Sequence, residues 1–224
     1  KETSGPIRPV GSGHSFSPLV PTDGHLIVVD QLNGILDYDN QTMEATFGAG
    51  SRLGDLGSPL FEIGQGMLNL PDIDRQTVAG ATATGTHGTG INFKSLSGYI
   101  TGLRLITADG DIKELDASQK DLFDAARVNL GALGVVTRIK MQNRKAYKLK
   151  KREWTAPTED MLRDFQMLAS KYRHFEIFPL VYSDYSLVLA IDETEQPIGE
   201  TIIPAEEVEL ADLRPLGVNA SPAE

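Results

Sequence analysis

The chain has 224 residues, of which 40% are hydrophobic and 23% charged, and its formal net charge is −10. These values are ordinary for a folded protein, and the negative charge argues against nucleic-acid binding, because phosphates need a cationic face. The absence of cysteine excludes disulfides, thiolate-bound metals and a thiol nucleophile. No apolar run is long enough for a membrane span, and because no secretion signal is evident we expect a cytoplasmic protein.

Glycine usage divides the chain into two modules. Twenty of the 22 glycines precede residue 135, so tight turns and close backbone approaches concentrate in the first part. We predict one domain at residues 1–145 and a second at 146–224, with the boundary in the basic stretch 143–152. The N-terminus lacks Met, so we expect residues upstream of it. The last thirty residues are acidic and hold four prolines, a composition that predicts a loop or disorder.

The first module begins with short strands. Apolar or alternating runs bounded by turn residues predict strands at Ile7–Val10, His25–Asp30 and Met43–Gly48. The run HLIVVD is apolar throughout and predicts a buried strand. Ser51 is then expected to cap a helix through Phe61, with Leu53, Leu56 and Leu60 on one face and Gly64 as its stop.

The same module continues with a hairpin, a helix and a strand. Asp109-Gly110 predicts a two-residue turn between strands Leu103–Ala108 and Asp111–Leu115. Ser118 should open a helix, Gln119–Val128, that turns Leu122, Phe123 and Ala126 inward. The alternating run VVTRIKM predicts a strand at Val135–Met141.

The second module predicts a sheet with one helix. Strands are expected at Tyr147–Trp154, Phe175–Tyr182 and Ser186–Ile191. Thr158 is predicted to cap a helix that extends to about Tyr172. The spacing i, i+4, i+7, i+11 places four apolar residues on one face of that helix, namely Met161, Phe165, Leu168 and Tyr172.

Two loops carry the residues most suited to chemistry. The first is RPVGSGHSFSP, from Arg8 to Pro18, and the second runs from Asp74 to Gly90. Loops rich in Gly, Ser and Thr let backbone N–H groups converge on an anion. Every residue from 79 to 90 except His87 is Gly, Thr or Ala, which favours close contact with an extended diphosphate over an ordinary turn.

Alternative interpretations of these loops are weaker. Gly11-Ser12-Gly13 begins like a dinucleotide fingerprint, but Phe16 replaces the third glycine and Pro18 prevents the required helix. His14 and His87 could form a metal pair, but no third ligand has suitable spacing. A Gly-x-Ser-x-Gly nucleophile elbow is absent. From the residues alone, the first loop predicts a phosphate cradle with a histidine of undetermined role.

Four segments resemble a known flavoprotein family. They are RPVGSGHSFSP, LPDIDRQTVAGATATGTHGTG, SGYITGLRLITADGDIKEL and DLFDAARVNLGALGVVTRIKMQ. Together with a fainter match in HFEIFPLVYSDYSLVLAIDETEQP, they resemble the vanillyl-alcohol-oxidase superfamily with a PCMH-type FAD-binding domain. The resemblance covers roughly residues 6–197 and favours the sugar-1,4-lactone oxidase and alditol oxidase branch.

The resemblance implies an α+β fold: a PCMH-type FAD-binding domain of two α/β subdomains, followed by part of a substrate domain with a sheet and helices. It implies bound FAD, with the histidine at the position of His14 attached covalently to the C8-methyl group of the isoalloxazine. The residues that it assigns to the cofactor are Arg8, Val10, Gly11, Ser12, Gly13, His14, Ser15, Thr77, Ala79, Gly80, Thr84, Gly85, His87, Gly88, Gly134, Val135 and Val136. Thr89 is expected near the reactive end of the flavin.

The implied reaction is oxidation of a carbinol in a lactone or polyol substrate, by hydride transfer to flavin N5 and with dioxygen or another acceptor as the oxidant. The later family motif His-Trp-Gly-Lys is absent, so catalytic residues stay unassigned. Glu176 lies in the expected substrate sheet and is interpreted as a structural or solvated carboxylate. Two alternatives are a non-catalytic FAD-binding fragment of a split enzyme and an FAD-fold reductase of cell-wall precursor synthesis; His14 argues against the second.

Overall fold

The computed structural model describes residues 5–197 and 199. The chain divides into two compact units. The first unit comprises Lys1–Gly88 and Phe93–Ala146, and the second comprises Thr89–Asn92 and Tyr147–Glu224. Most of the predicted acidic tail lies outside the described residues. In the described part of the chain, no helix is long and apolar enough to cross a membrane.

The described residues of the first unit form eight strands in two sheets. A parallel pair and a larger, antiparallel sheet of order β3-β4-β8-β6-β7, with β5 also paired to β8, account for all of them. The strands are β1 (Ile7–Val10), β2 (His25–Val28), β3 (Ile35–Asp39), β4 (Glu44–Gly48), β5 (Gln65–Met67), β6 (Ile100–Ile106), β7 (Ile112–Asp116) and β8 (Val135–Lys145).

The core of the first unit lies on one face of the larger sheet. Side chains alternate along β4 and β8, so Phe47 and Ile139 face each other and both are fully buried. The short helix α2 (Val78–Ala83) contributes Val78 and Ala81 to the same cluster. The core therefore holds α2, and with it the second glycine-rich loop, against the sheet.

The prediction of a buried strand at His25–Asp30 is wrong. Strand β2 ends at Val28, all four of its residues are exposed, and only the following Val29 is buried. The physical reason is that β2 pairs with β1 alone, and no other described strand joins this sheet. The apolar run therefore predicted the strand correctly but not its exposure to solvent.

The predicted helix from Ser51 to Phe61 forms as two shorter segments. A 3₁₀ turn covers Leu53–Leu56, and α1 (Gly57–Glu62) follows it. Ser51 does not cap either segment, because its hydroxyl donates to the carbonyl of Gly48 at 2.7 Å. The predicted apolar face is present, since Leu53, Leu56 and Leu60 are buried. Gly64 ends the helix with a left-handed φ of 79°.

The helix predicted at Gln119–Val128 also starts differently. A 3₁₀ turn, Ala117–Gln119, precedes the helix, and Asp116, not Ser118, is its N-cap: the Asp116 carboxylate accepts from the Ser118 N–H, while the Gln119 side chain accepts from the Asp116 N–H. The α-helical part, α3, is Lys120–Arg127. Phe123 and Ala126 are buried as predicted, but Leu122 is exposed.

The hairpin at Asp109-Gly110 forms with a longer connection than predicted. Strands β6 and β7 are antiparallel, and residues 107–111 separate them. The Thr107 N–H donates to the Asp111 carbonyl, and Gly110 takes a left-handed φ of 84°. The Asp-Gly signal thus located the turn, but pairing stops before the turn itself.

In its described residues, the second unit is a three-stranded antiparallel sheet of order β10-β11-β9 with one helix. Its elements are β9 (Lys148–Pro157), α4 (Thr158–Lys171), β10 (His174–Pro179) and β11 (Tyr185–Thr194). Phe175 and Val188 form its core with Ala169 of α4, and Met161, Leu168 and Tyr172 pack against them. Pro157, not Thr158, is the N-cap residue, and the Thr158 hydroxyl bonds that of Ser186 instead.

Candidate cofactor site

The first glycine-rich loop leaves the end of β1. Gly13 has a left-handed φ of 68°, a conformation that glycine adopts without strain. The Ser12 hydroxyl donates to the carbonyl of Arg75 at 2.7 Å. This bond ties the loop to the second loop, 63 residues further along the chain.

The second loop contains a helix that the sequence pattern did not reveal. Thr77 has an extended backbone and caps α2, because its hydroxyl accepts from the Gly80 N–H at 3.2 Å. The Val78 and Ala79 N–H groups donate to the carbonyls of Ser51 and Ala49. The start of the loop is therefore bonded on one side to the segment 49–51, and its other side is open.

The two loops approach each other too closely for any side chain at Gly11. A Cβ atom built at Gly11 would lie 2.2 Å from the Thr77 hydroxyl oxygen, far inside van der Waals contact. Glycine at this position is thus required by the packing of one loop on the other.

A turn after α3 supplies a third wall. The Asn129 carboxamide donates to the Ala126 carbonyl and accepts from the Gly131 N–H. Leu130 and Gly131 take left-handed φ values of 52° and 71°. Gly134, at φ 138°, has no room for a Cβ, which would lie 2.3 Å from the Ile106 carbonyl oxygen.

These three segments line a cleft within the first unit. Of the predicted cofactor residues, the structure brings together along its walls Arg8, Val10, Gly11, Ser12, Gly13, His14, Ser15, Thr77, Ala79, Gly80, Thr84, Gly134 and Val136. Residues that sequence reasoning missed also line it, namely Pro9, Leu19, Val20, Val29, Gln76, Ala83, Asn129, Leu130 and Gly131.

Five predicted residues lie elsewhere. Gly85, His87, Gly88 and Val135 are not part of the cleft wall. The His87 ring bonds its neighbour, with Nδ1 3.0 Å from the Gly88 carbonyl oxygen. Thr89 belongs to the second unit. Among the described residues, no group of three or more His, Asp or Glu side chains could hold a metal ion.

The charge distribution of the cleft suits an anion. Although the whole chain carries a net charge of −10, no carboxylate occurs among the described residues that line the cleft, and Arg8 contributes a permanent positive charge. His14 lies on the open side and is exposed. A diphosphate would therefore meet backbone N–H groups, hydroxyls and a guanidinium without an opposing carboxylate.

The Gln76 side chain gives a second indication of a polar ligand. Its Nε2 donates to the Thr86 hydroxyl at 3.3 Å, while its Oε1 is buried and has no hydrogen-bond partner in the described part of the chain. An unsatisfied buried polar atom costs about 1–3 kcal/mol. The cleft thus combines small residues, the absence of carboxylates and an unsatisfied polar atom, which together suit a polar nucleotide cofactor.

A parallel β-strand pair, an antiparallel sheet and two glycine-rich loops around a cleft without carboxylates form a domain suited to a nucleotide cofactor. The FAD binding domain family matches residues 1–116, and the chain belongs to that family. This result confirms the predicted fold class and the family resemblance.

Curated relatives extend the similarity through the second unit. The chain is 38% identical over 192 residues to L-gulono-1,4-lactone dehydrogenase of Mycobacterium tuberculosis, covering 85% of this chain and 44% of that protein. It is 31% identical to L-gulonolactone oxidase of Bos taurus over 85% of this chain and 44% of the relative. The chain therefore spans less than half the length of these relatives.

A solved structure shares the fold. Cholesterol oxidase from Brevibacterium sterolicum superposes with a TM-score of 0.77 at 19% identity, covering 86% of this chain and 41% of that one. At this level of identity the similarity concerns the fold alone.

Proposed function

We propose that this chain holds FAD and belongs to an oxidoreductase that oxidises a carbinol of a sugar-derived lactone. The observation that carries the proposal is the single cleft lined by both glycine-rich loops, with His14 on its open side. The names of the relatives support a lactone substrate. Alditols are the second substrate class that the resemblance implied, and the same assay tests them.

The residues of the cleft have distinct tasks in this proposal. The backbone N–H groups of Gly11–Ser15 and the hydroxyls of Ser15 and Thr77 hold the diphosphate, and Arg8 offsets its charge. The bound flavin supplies the hydride-accepting ring. The protein orients this ring and excludes water from it. Val29 and Val136 provide apolar contact at the wall of the cleft.

We further propose that His14 is the covalent anchor. Its side chain is exposed at the cleft, so a ring nitrogen is accessible to the C8-methyl carbon of a bound flavin. A tether retains the cofactor regardless of its non-covalent affinity. By contrast, His87 lies outside the cleft wall and bonds Gly88, which makes it the matched control.

The experiment compares wild-type protein with His14→Ala and His87→Ala. After acid precipitation, flavin absorbance should stay with the pellet for the wild type and for His87→Ala but move to the supernatant for His14→Ala. Free flavin from the wild type would disprove the tether, and colourless protein that binds no added FAD would disprove the cofactor proposal.

Activity is tested by peroxide release and by reduction of an artificial acceptor. An aldono-1,4-lactone, an alditol and a simple sugar are the substrates. Turnover of the lactone with either readout supports the proposed reaction, and the ratio of the two readouts distinguishes an oxidase from a dehydrogenase. Bound FAD without turnover of any substrate would favour a non-catalytic flavin-binding fragment.

A further inference from the structure

Three polar side chains from distant parts of the chain meet in the second unit. The Thr89 hydroxyl oxygen lies 3.3 Å from Oε1 of Glu176 and 3.3 Å from Nδ1 of His174. The same Nδ1 lies 3.0 Å from the Thr89 carbonyl oxygen. His174 is buried, while Thr89 and Glu176 are half-buried.

The cluster lies on the face of the sheet opposite the core. Along β10, Phe175 and Ile177 pack with α4, so His174 and Glu176, which alternate with them, point to the other face. Their partners across the strand pair are Ile191 and Leu189. The hydrophobic core between the sheet and α4 therefore does not include the polar cluster.

The contacts give the hydrogen bonds a direction. A carbonyl oxygen can only accept, so Nδ1 of His174 must carry the proton that it shares with Thr89. Because this N–H also approaches the Thr89 hydroxyl oxygen, the single hydroxyl proton of Thr89 is directed to Glu176. The order of donation is His174 to Thr89 to Glu176.

A carboxylate can accept about four hydrogen bonds and donates none. Glu176 held in this way is suited to a ligand that donates, such as a neutral hydroxyl. Thr89 directly follows Gly88 in the chain, so the loop predicted to bind FAD continues into the residue that holds Glu176. A polyhydroxylated lactone offers several such donors.

We propose that Glu176 accepts a hydrogen bond from a substrate hydroxyl, and that His174 is a positioning residue that acts on Glu176 through Thr89. This inference rests on the proposed function. It adds the residues that recognise the substrate, which neither the family resemblance nor the relatives assigned.

The test uses flavin-loaded protein and two substitutions at His174. In His174→Asn the side-chain N–H₂ occupies the position of Nδ1–H and retains the bond to Thr89, whereas His174→Gln moves the donor to the position of Nε2. Glu176→Gln keeps the shape but removes the charge. Losing a hydrogen bond to a charged group is expected to raise KM and the Kd of an aldono-1,4-lactone by roughly 10- to 100-fold.

We expect this rise for Glu176→Gln and for His174→Gln, and near wild-type values for His174→Asn. The flavin absorbance per protein should stay the same in all three, whereas the melting temperature of His174→Gln should fall, because its bond to the Thr89 carbonyl is lost. Nitrogen NMR of the wild-type imidazole should find a proton on Nδ1 of His174. This last measurement needs no activity.

Equal behaviour of the two His174 variants, or an unprotonated Nδ1, would overturn the positioning role. An unchanged lactone Kd in Glu176→Gln would overturn substrate recognition. If the wild type turns over no substrate, the proposed function fails on its own. Calorimetric titration of the lactone then decides the inference, because wild-type binding that Glu176→Gln weakens supports it and no wild-type binding rejects it.

Discussion

Gly11 of the first loop packs directly against Thr77 of the second loop. Its missing side chain lets the Thr77 hydroxyl reach the Gly80 N–H while Ser12 bonds the Arg75 carbonyl. The two loops can pack at this separation because Gly11 has no Cβ atom.

We predict that Gly11→Ala destabilises the protein by about 1–3 kcal/mol, because the added methyl group overpacks against Thr77. FAD affinity should fall with it, as the loops are forced apart. Thermal unfolding and FAD titration measure both effects.

Gly57→Ala is the matched control for Gly11→Ala. Gly57 has a helical φ of −59° and open space around its Cβ position, so alanine should be neutral or stabilising there. Equal losses of stability and of FAD affinity in Gly11→Ala and Gly57→Ala would show that the contact between the loops has no special role.

Substitution of Gln76 is predicted to affect the stability of the flavin-free protein and the affinity for FAD differently. Gln76→Met removes the unsatisfied Oε1, so the flavin-free protein should be no less stable than the wild type. If bound FAD satisfies that group, the variant should bind FAD roughly 5- to 30-fold more weakly, which corresponds to about 1–2 kcal/mol. Unchanged affinity would remove Gln76 from the cofactor site. Flavin fluorescence quenching on stripped protein gives the affinity.

At the scale of elements, the capped 3₁₀ turn Ala117–Gln119, which precedes α3, makes stability depend on pH. The hydroxyl and the backbone N–H of Ser118 hold the pKa of Asp116 below its ordinary value. A lowered pKa in the folded state means that this contribution to stability is present above the unfolded pKa of 3.8 and is lost as the pH falls through the folded value.

We predict that Asp116→Asn reduces the loss of stability on acidification below pH about 4. Asparagine retains the cap bond without titrating, so stability at neutral pH should change little. Urea unfolding at several pH values gives the comparison. An identical acid dependence in both proteins would contradict the assignment to Asp116.

The elements show what periodicity can and cannot predict. It identified β4 and β8 of the larger sheet from their alternation, and the Asp-Gly turn located β6 and β7, but β3 and β5 were not predicted. It also located the helix faces with Leu53, Leu56 and Leu60 or with Phe123. It could not predict α2, because Ala-Gly-Ala-Thr-Ala has little apolar contrast and the helix depends on the Thr77 cap and on burial of Val78. It misjudged β2, since burial depends on which neighbours cover a strand.

The candidate cofactor site was also only partly predictable from the sequence. Glycine, serine and threonine composition and the family resemblance identified both loops. The turn Asn129–Gly131 was missed because its role arises only from tertiary packing, in which Gly131 approaches Pro9. Gln76 carried no composition signal, and its unsatisfied oxygen appears only once the fold is known.

On the scale of the whole molecule, the cleft belongs to the first unit alone. We therefore predict that adding FAD to stripped His14→Ala protein protects the amides of Gly11–Ser15 and Thr77–Thr84 from hydrogen exchange. At a hundredfold excess over Kd, the stabilisation should be about 2.7 kcal/mol, or a rise in melting temperature of roughly 5–10 °C.

Riboflavin is the control for this experiment, because it carries the ring without the diphosphate. It should protect the two loops little and raise the melting temperature less than FAD does. Equal protection by riboflavin would contradict a diphosphate cradle.

The segment Thr89–Asn92 belongs to the second unit although both of its neighbours in sequence belong to the first. The chain consequently passes between the units three times, after Gly88, Asn92 and Ala146, rather than once. The second unit therefore cannot be exchanged between two related proteins through a single junction. A chimera joined at residue 146 would keep residues 89–92 of the protein that supplies the first unit. A successful chimera would need Thr89 and its partners His174 and Glu176 to come from the same parent.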